Sequence, residues 1–196
     1  MRFLKKRSLR FYLGFILILM MAIGGSTIAA FADQPSAQVA VNGAANVTEQ
    51  GPTSVLANPV TLNGTNLTAP YTMQIAVNDD TGTGNGWNLT ITSTTFSTGN
   101  CTTTGHNLDT SASQITAVAI ADNGNGTYSD PTNATGYPKT IPAACTAPLA
   151  IKFFSAAANT GLGHFNITPS VNIAIPANTY AGTYTSTVTL AVVSGP

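Results

Sequence analysis

The chain has 196 residues, 43% of them hydrophobic and only 7% charged, and its seven basic and seven acidic side chains cancel. The cancellation is uneven: five basic residues stand in the first ten positions, so from residue 33 onward Lys139 and Lys152 face six aspartates and Glu49, a net charge of minus five with no arginine. Such a stretch cannot neutralise a row of phosphates, which excludes nucleic acid as a partner and gives anionic lipid no handle beyond the N-terminus.

The first element is a leader. Arg2, Lys5, Lys6, Arg7 and Arg10 precede an apolar run over residues 11–24, and Ala30-Phe31-Ala32 follows. A basic start, an apolar centre and a small-x-small site predict a signal peptide over residues 1–32, cut after Ala32. The alternative is an uncleaved anchor, because weakly apolar residues extend the run towards the roughly 20 that span a bilayer. Membrane contact is therefore expected only through that N-terminus. No sortase-type motif ends the sequence and no cysteine sits near the cleavage site to take a lipid, so attachment to a cell is expected to be non-covalent. Residues 33–196 are the length of a single domain.

Past the leader, hydrophobic residues alternate with polar ones. Residues 38–41 and 53–62 are expected strands. In residues 71–78, Tyr71, Met73, Ile75 and Val77 share one parity. In residues 87–92, Trp87, Leu89 and Ile91 alternate with Asn88, Thr90 and Thr92. Strands are also expected at 114–121 and 148–154, separated by an Asn-, Gly-, Thr- and Pro-rich excursion over 122–144. Residues 164–176 place Phe165, Ile167, Val171, Ile173 and Ile175 together, and residues 182–193 set Tyr184, Val188, Leu190 and Val192 against a row of threonines. A period of two over so many segments predicts antiparallel strands with one wet face each. Asn-Gly pairs beginning at 42, 63, 85, 123 and 125 supply hairpin turns that tolerate positive φ. The expected fold class is all-β, an antiparallel β-sandwich, with no amphipathic helix.

The chain has two cysteines, Cys101 and Cys145. Export makes an oxidised pair the expectation, stapling the end of the excursion to the loop after the Trp87 strand; two free buried thiols are the alternative. Closing that loop adds about 4 kcal/mol in the chain-entropy model.

Two segments carry a family resemblance. Residues 78–96 read NDDTGTGNGWNLTITSTTF, an Asp- and Gly-rich turn followed by Trp87-Asn88-Leu89. Residues 169–196 contain Ile175-Pro176-Ala177-Asn178-Thr179 and then Gly182-Thr183-Tyr184. In that order they resemble the WxL-domain family of Gram-positive surface proteins. Leu190-Ala191-Val192 stands where a second Trp-x-Leu is expected. The resemblance implies a secreted, immunoglobulin-like β-sandwich held non-covalently at the cell envelope, with peptidoglycan the usual ligand proposed and other surface proteins as partners.

Two readings of Trp87 stand side by side. Sharing parity with Leu89 and Ile91, it plugs the core; at a strand start beside a glycine turn, it is also placed to stack on a sugar. Candidate ligand-binding residues are Trp87, Leu89, Tyr137 and Tyr180. Asp79, Asp80, Asp122 and Asp130 offer oxygens, but without the spacing of a calcium loop, and turn chemistry accounts for them. His106 and His164 lack ligand or triad partners at motif spacing, and Lys152 is expected to point outward from its strand. No metal, cofactor or catalytic residue is expected. The sequence therefore describes a non-enzymatic, cell-surface module binding peptidoglycan or another envelope glycan. The alternative is a subunit of a surface fibre or layer, assembled through strand edges.

Overall fold

The computed structural model describes residues 39–124 and 129–196. The leader over residues 1–32 and Gln38 lie outside the described residues. Val41–Pro196 form one compact unit built from ten strands. These are β1 (Thr48–Gln50), β2 (Leu67–Thr72), β3 (Ile75–Asp79), β4 (Trp87–Thr94), β5 (Ser113–Asp122), β6 (Lys139–Thr140), β7 (Ala143–Ala144), β8 (Ile151–Ala156), β9 (Gly163–Ile175) and β10 (Val188–Ser194). No helix occurs among the described residues.

The strands form two sheets that enclose one core. The larger runs β1-β3-β9-β5-β6, with β2 also pairing β9; the smaller runs β10-β4-β7, with β8 also pairing β4. Every pairing is antiparallel except β4 with β7. Alternation drives the result. Along β9 every odd residue from Gly163 to Ile175 is buried, while His164, Asn166, Thr168, Ser170 and Asn172 face the wet side. Ile75, Val77, Ile115, Phe165, Ile167 and Val171 from one sheet meet Leu89, Ile91, Phe153 and Phe154 from the other. The all-β sandwich is as the sequence predicts.

Some boundaries differ, for physical reasons. Residues 71–78 belong to two strands rather than one. Thr72 pairs Ser170 and Ile75 pairs Ile167 in one continuous register, so Met73 lies opposite Pro169. Met73 N donates to the Pro169 carbonyl at 3.3 Å, but proline has no N–H to return. On the other side of Pro169 the partner strand bulges between Ile115 and Ala117, and Thr116 Oγ1 donates to Ser170 O.

Residues 53–62 form no strand. The place beside β9 is taken by β2, and Pro59 lacks a donor; the segment lies along the outer edge of β2, where Asn58 N donates to Pro70 O at 3.1 Å. Residues 39–41 form no strand either, and Val41 is exposed. The 148–154 strand starts later, at Ile151, and runs to Ala156; Pro148 has no N–H to give a ladder, and its carbonyl accepts from Thr92 Oγ1 at 2.8 Å. The excursion is tied down by β6, by β7 and by an Asn133–Ala156 bridge.

Candidate functional site

Trp87 opens β4 after Gly84 and Gly86, both at positive φ. A strand start behind such a turn fixes the direction of the ring, and here it points inward. Trp87 is 0% exposed and stacks on Phe154, with ring centroids 5.3 Å apart and planes at 22°. A buried indole needs a partner for its N–H. Nε1 donates to the Gly161 carbonyl at 2.9 Å. Gly161 sits at φ 73°, and a Cβ there would lie 3.0 Å from Trp87 Nε1 and 3.0 Å from Pro131 Cβ, so the backbone approaches only because that residue is glycine. Leu89 is also 0% exposed. Neither residue presents a surface to a ligand in this structure.

Leu190-Ala191-Val192 lies directly beside the Trp-x-Leu segment: Leu190 pairs Ile91, Ala191 pairs Thr90 and Val192 pairs Leu89. Leu190 and Val192 pack against the core, so aliphatic side chains fill the space on that strand.

Tyr137 is half-buried, and its ring supports the core. Its hydroxyl donates to Phe153 O at 2.7 Å and accepts from Asn133 Nδ2 at 2.9 Å. Burial pushes its phenol above the ordinary tyrosine range, and the Asn133 hydrogen bond pulls it part of the way back. Asn133 Oδ1 accepts in turn from Thr135 N and Ser155 N, so this tyrosine locks the excursion against β8.

Tyr180 is placed differently. It is 63% exposed, and its ring lies on His106 with centroids 3.9 Å apart and planes at 11°. Each ring comes from a loop beyond the sheets. His106 is held by two hydrogen bonds to Thr98: His106 N donates to Thr98 Oγ1 and Thr98 N to His106 O. The same loop is folded on Asn100, whose carbonyl accepts from Thr104 N and Gly105 N. Its base carries Cys101, joined by a disulfide to Cys145 with Cα atoms 5.4 Å apart. Tyr184 Oη donates to Tyr180 O at 2.9 Å, and Thr185 exchanges two backbone bonds with Ser97. The 96–108 loop and the 176–187 corner therefore meet at this pair, carrying exposed Thr102, Thr103, Thr104, Asn107 and Asn178.

The remaining candidates are engaged locally. Asp79 Oδ1 accepts from Thr81 N and Thr81 Oγ1, an Asx turn. Asp80 meets His164 Nε2 at 2.9 Å on the surface. Lys152 is exposed opposite Thr90. A cleft of about 310 Å³ lies over β2 and β9, lined in part by Leu56, Asn58, Pro70, Thr72, Ser170 and Asn172. It offers no open aromatic face, since the tyrosine in its wall, Tyr71, is only 7% exposed.

Sequence reasoning missed His106 as the partner of Tyr180, because 74 residues separate two loops with no shared periodicity. It also missed Phe154 as the partner of Trp87. The Phe153-Phe154 doublet was a signal: both rings are 0% exposed, and the register of β4 on β8 shifts between Leu89 and Thr90, next to the Leu89–Phe154 pair.

No curated protein and no solved structure matches the chain. A family model does, described as a WxL domain, surface and cell wall-binding, and it spans residues 32–196. With that match lying over the sandwich and its Trp87-Asn88-Leu89 strand, the chain belongs to the WxL family of cell-wall-binding surface domains.

Proposed function

We propose that the protein is an exported, non-catalytic envelope module in which residues 1–32 are the leader and residues 33–196 the single binding domain. It holds a neutral wall glycan, peptidoglycan foremost, through the His106–Tyr180 pair and the hydroxyl and amide groups around it. One observation carries this reading: Tyr180 is 63% exposed while parallel to a second ring that holds it in place. An open, preset aromatic face suits the apolar side of a sugar ring, and ordering it beforehand lowers the cost of binding. The low charge of residues 33–196 suits a ligand rich in hydroxyls and poor in charge. The family match starting at residue 32 supports the placement of the leader boundary.

The test is sedimentation of the protein with purified sacculi, compared before and after secondary wall polymers are stripped. Tyr180→Ala is expected to weaken retention about tenfold, equivalent to ~1.4 kcal/mol. Binding by Tyr180→Ala and His106→Ala at the level of the unaltered protein would remove the platform from the account. Loss of binding on stripping would move the ligand from peptidoglycan to the attached polymers.

A further inference from the structure

The smaller sheet ends on β10, and its hydrogen bonds fix which backbone groups look away from it. Thr94 N donates to Thr187 O at 2.9 Å and Gly195 N to Gly86 O at 2.9 Å, with an unbroken register from Val188↔Ser93 to Ser194↔Trp87 between them. Antiparallel ladders bond at alternate residues. Residues 187, 189, 191, 193 and 195 therefore bond to β4, and the N–H and C=O groups of Val188, Leu190, Val192 and Ser194 point outward. Gly51 approaches the Leu190 side chain, yet no strand among the described residues pairs with this edge.

Most other edges are guarded; β6 covers β5 only at Gln114 and Ile115, but farther along β5 carries a bulge against β9 and ends on Asp122. β8 is covered by residues 132–134, through Ala134 N to Ser155 O, Ala157 N to Thr132 O and the Asn133–Ala156 bridge. β2 carries Pro70 and is flanked by Asn58. β1 and β6 are three and two residues long and contain Glu49 and Lys139. Charge, proline, shortness and cover are the ordinary means of keeping an edge from pairing. β10 lacks most of these: its seven residues, VTLAVVS, include no charge, no proline and no bulge against β4, and β1 with Gly51 approaches it without pairing.

We propose that β10 pairs with β10 of a second copy, antiparallel about a two-fold axis through Ala191. In that register Leu190 faces Val192 and Val188 faces Ser194 of the other copy, so all the outward donors and acceptors are matched. Ala191 faces Ala191, and Thr189 faces Val193, a side chain 48% exposed in the single chain. A second copy suits this edge better than a charged partner. Residues 33–196 carry a net charge of minus five and two copies repel overall, but no ionisable group lies on the strand where they would meet. The contact is self-complementary and closed, and it joins two four-stranded sheets into one of eight strands. It is independent of the Tyr180 platform.

Analytical ultracentrifugation tests it with three proteins. The unaltered protein is expected to sediment as a dimer. Ala191→Lys and Ala191→Glu place like charges opposite each other at the axis and are each expected to weaken association tenfold or more, while an equimolar mixture of the two restores a dimer. Ser194→Pro, which removes an outward N–H that β4 does not use, weakens association without adding charge. Far-UV circular dichroism confirms that each variant keeps its strands, and sacculus binding by Ala191→Lys is unchanged, which separates this proposal from the binding site. A protein that stays monomeric up to about 1 mM overturns it. So do an open-ended assembly, or charge variants that dimerise alone as well as they do mixed.

Discussion

The two aromatic pairs, one at the start of β4 and one between loops outside the sheets, have similar chemistry and opposite fates. Trp87 and Phe154 come from neighbouring strands, face the core and are wholly buried. His106 and Tyr180 come from two loops and stand in solvent, held by Thr98 and by the backbone of the disulfide-linked loop. The difference is set by parity and by what satisfies the polar atom. Trp87 shares the inward parity of its strand, and Gly161 supplies the one acceptor its indole requires. No sheet assigns Tyr180 a direction, so a neighbouring ring does. In this fold the conspicuous tryptophan packs inside the core, and the less conspicuous tyrosine keeps an open face.

This contrast can be broken at the core end with the largest effect. Trp87→Ala removes a fully buried ring and leaves Phe154 facing a cavity, so thermal unfolding should show a loss of about 4 kcal/mol. Replacing both cysteines by alanine acts on the loop end instead. With a separation of 44 residues, that substitution is expected to cost up to about 4 kcal/mol, measured by urea unfolding, and to loosen the His106 loop so that wall binding weakens too.

Alkali sharpens the contrast further. Burial pushes the Tyr71 phenol up to about 12, above the ordinary value of 10.0. Because the folded value is the higher one, its contribution is complete below pH 10 and is lost as pH rises through 12. Stability should therefore fall by about 2–3 kcal/mol across that window, and the corresponding part of the fall should be absent from Tyr71→Phe. The smallest effect on stability is expected at the platform. Tyr180→Ala should change the unfolding free energy by less than about 0.5 kcal/mol, since the ring is mostly in water.

Much of the sandwich was legible because burial on one face imposes a period of two. Ile75, Val77, Leu89, Ile91 and the odd residues of β9 announce their direction without any structure. Segment 53–62 misled because its apolar residues are β-prone, while the competition of β2 for the same edge is a tertiary fact. The break at Met73 depended on a proline nearly a hundred residues away in sequence. The disulfide was legible from the expected export and from the count of two cysteines. Tyr180 could be singled out as an aromatic in the corner sequence, but its stacking on His106 could not, because loop geometry leaves no periodic trace. The inward placement of Trp87 with its N–H satisfied also needed Gly161, which the sequence offers only as one glycine among 18.

The most direct measurement is a pair of sacculus-binding isotherms, one for Trp87→Phe and one for Tyr180→Ala, each shown to be folded by circular dichroism. Trp87→Phe keeps a buried ring, so its affinity is expected to equal that of the unaltered protein even though its stability falls, whereas Tyr180→Ala is expected to bind about tenfold more weakly at unchanged stability. Folded Trp87→Phe that has lost the wall, beside Tyr180→Ala that still holds it, would contradict the division of labour between the two aromatic pairs.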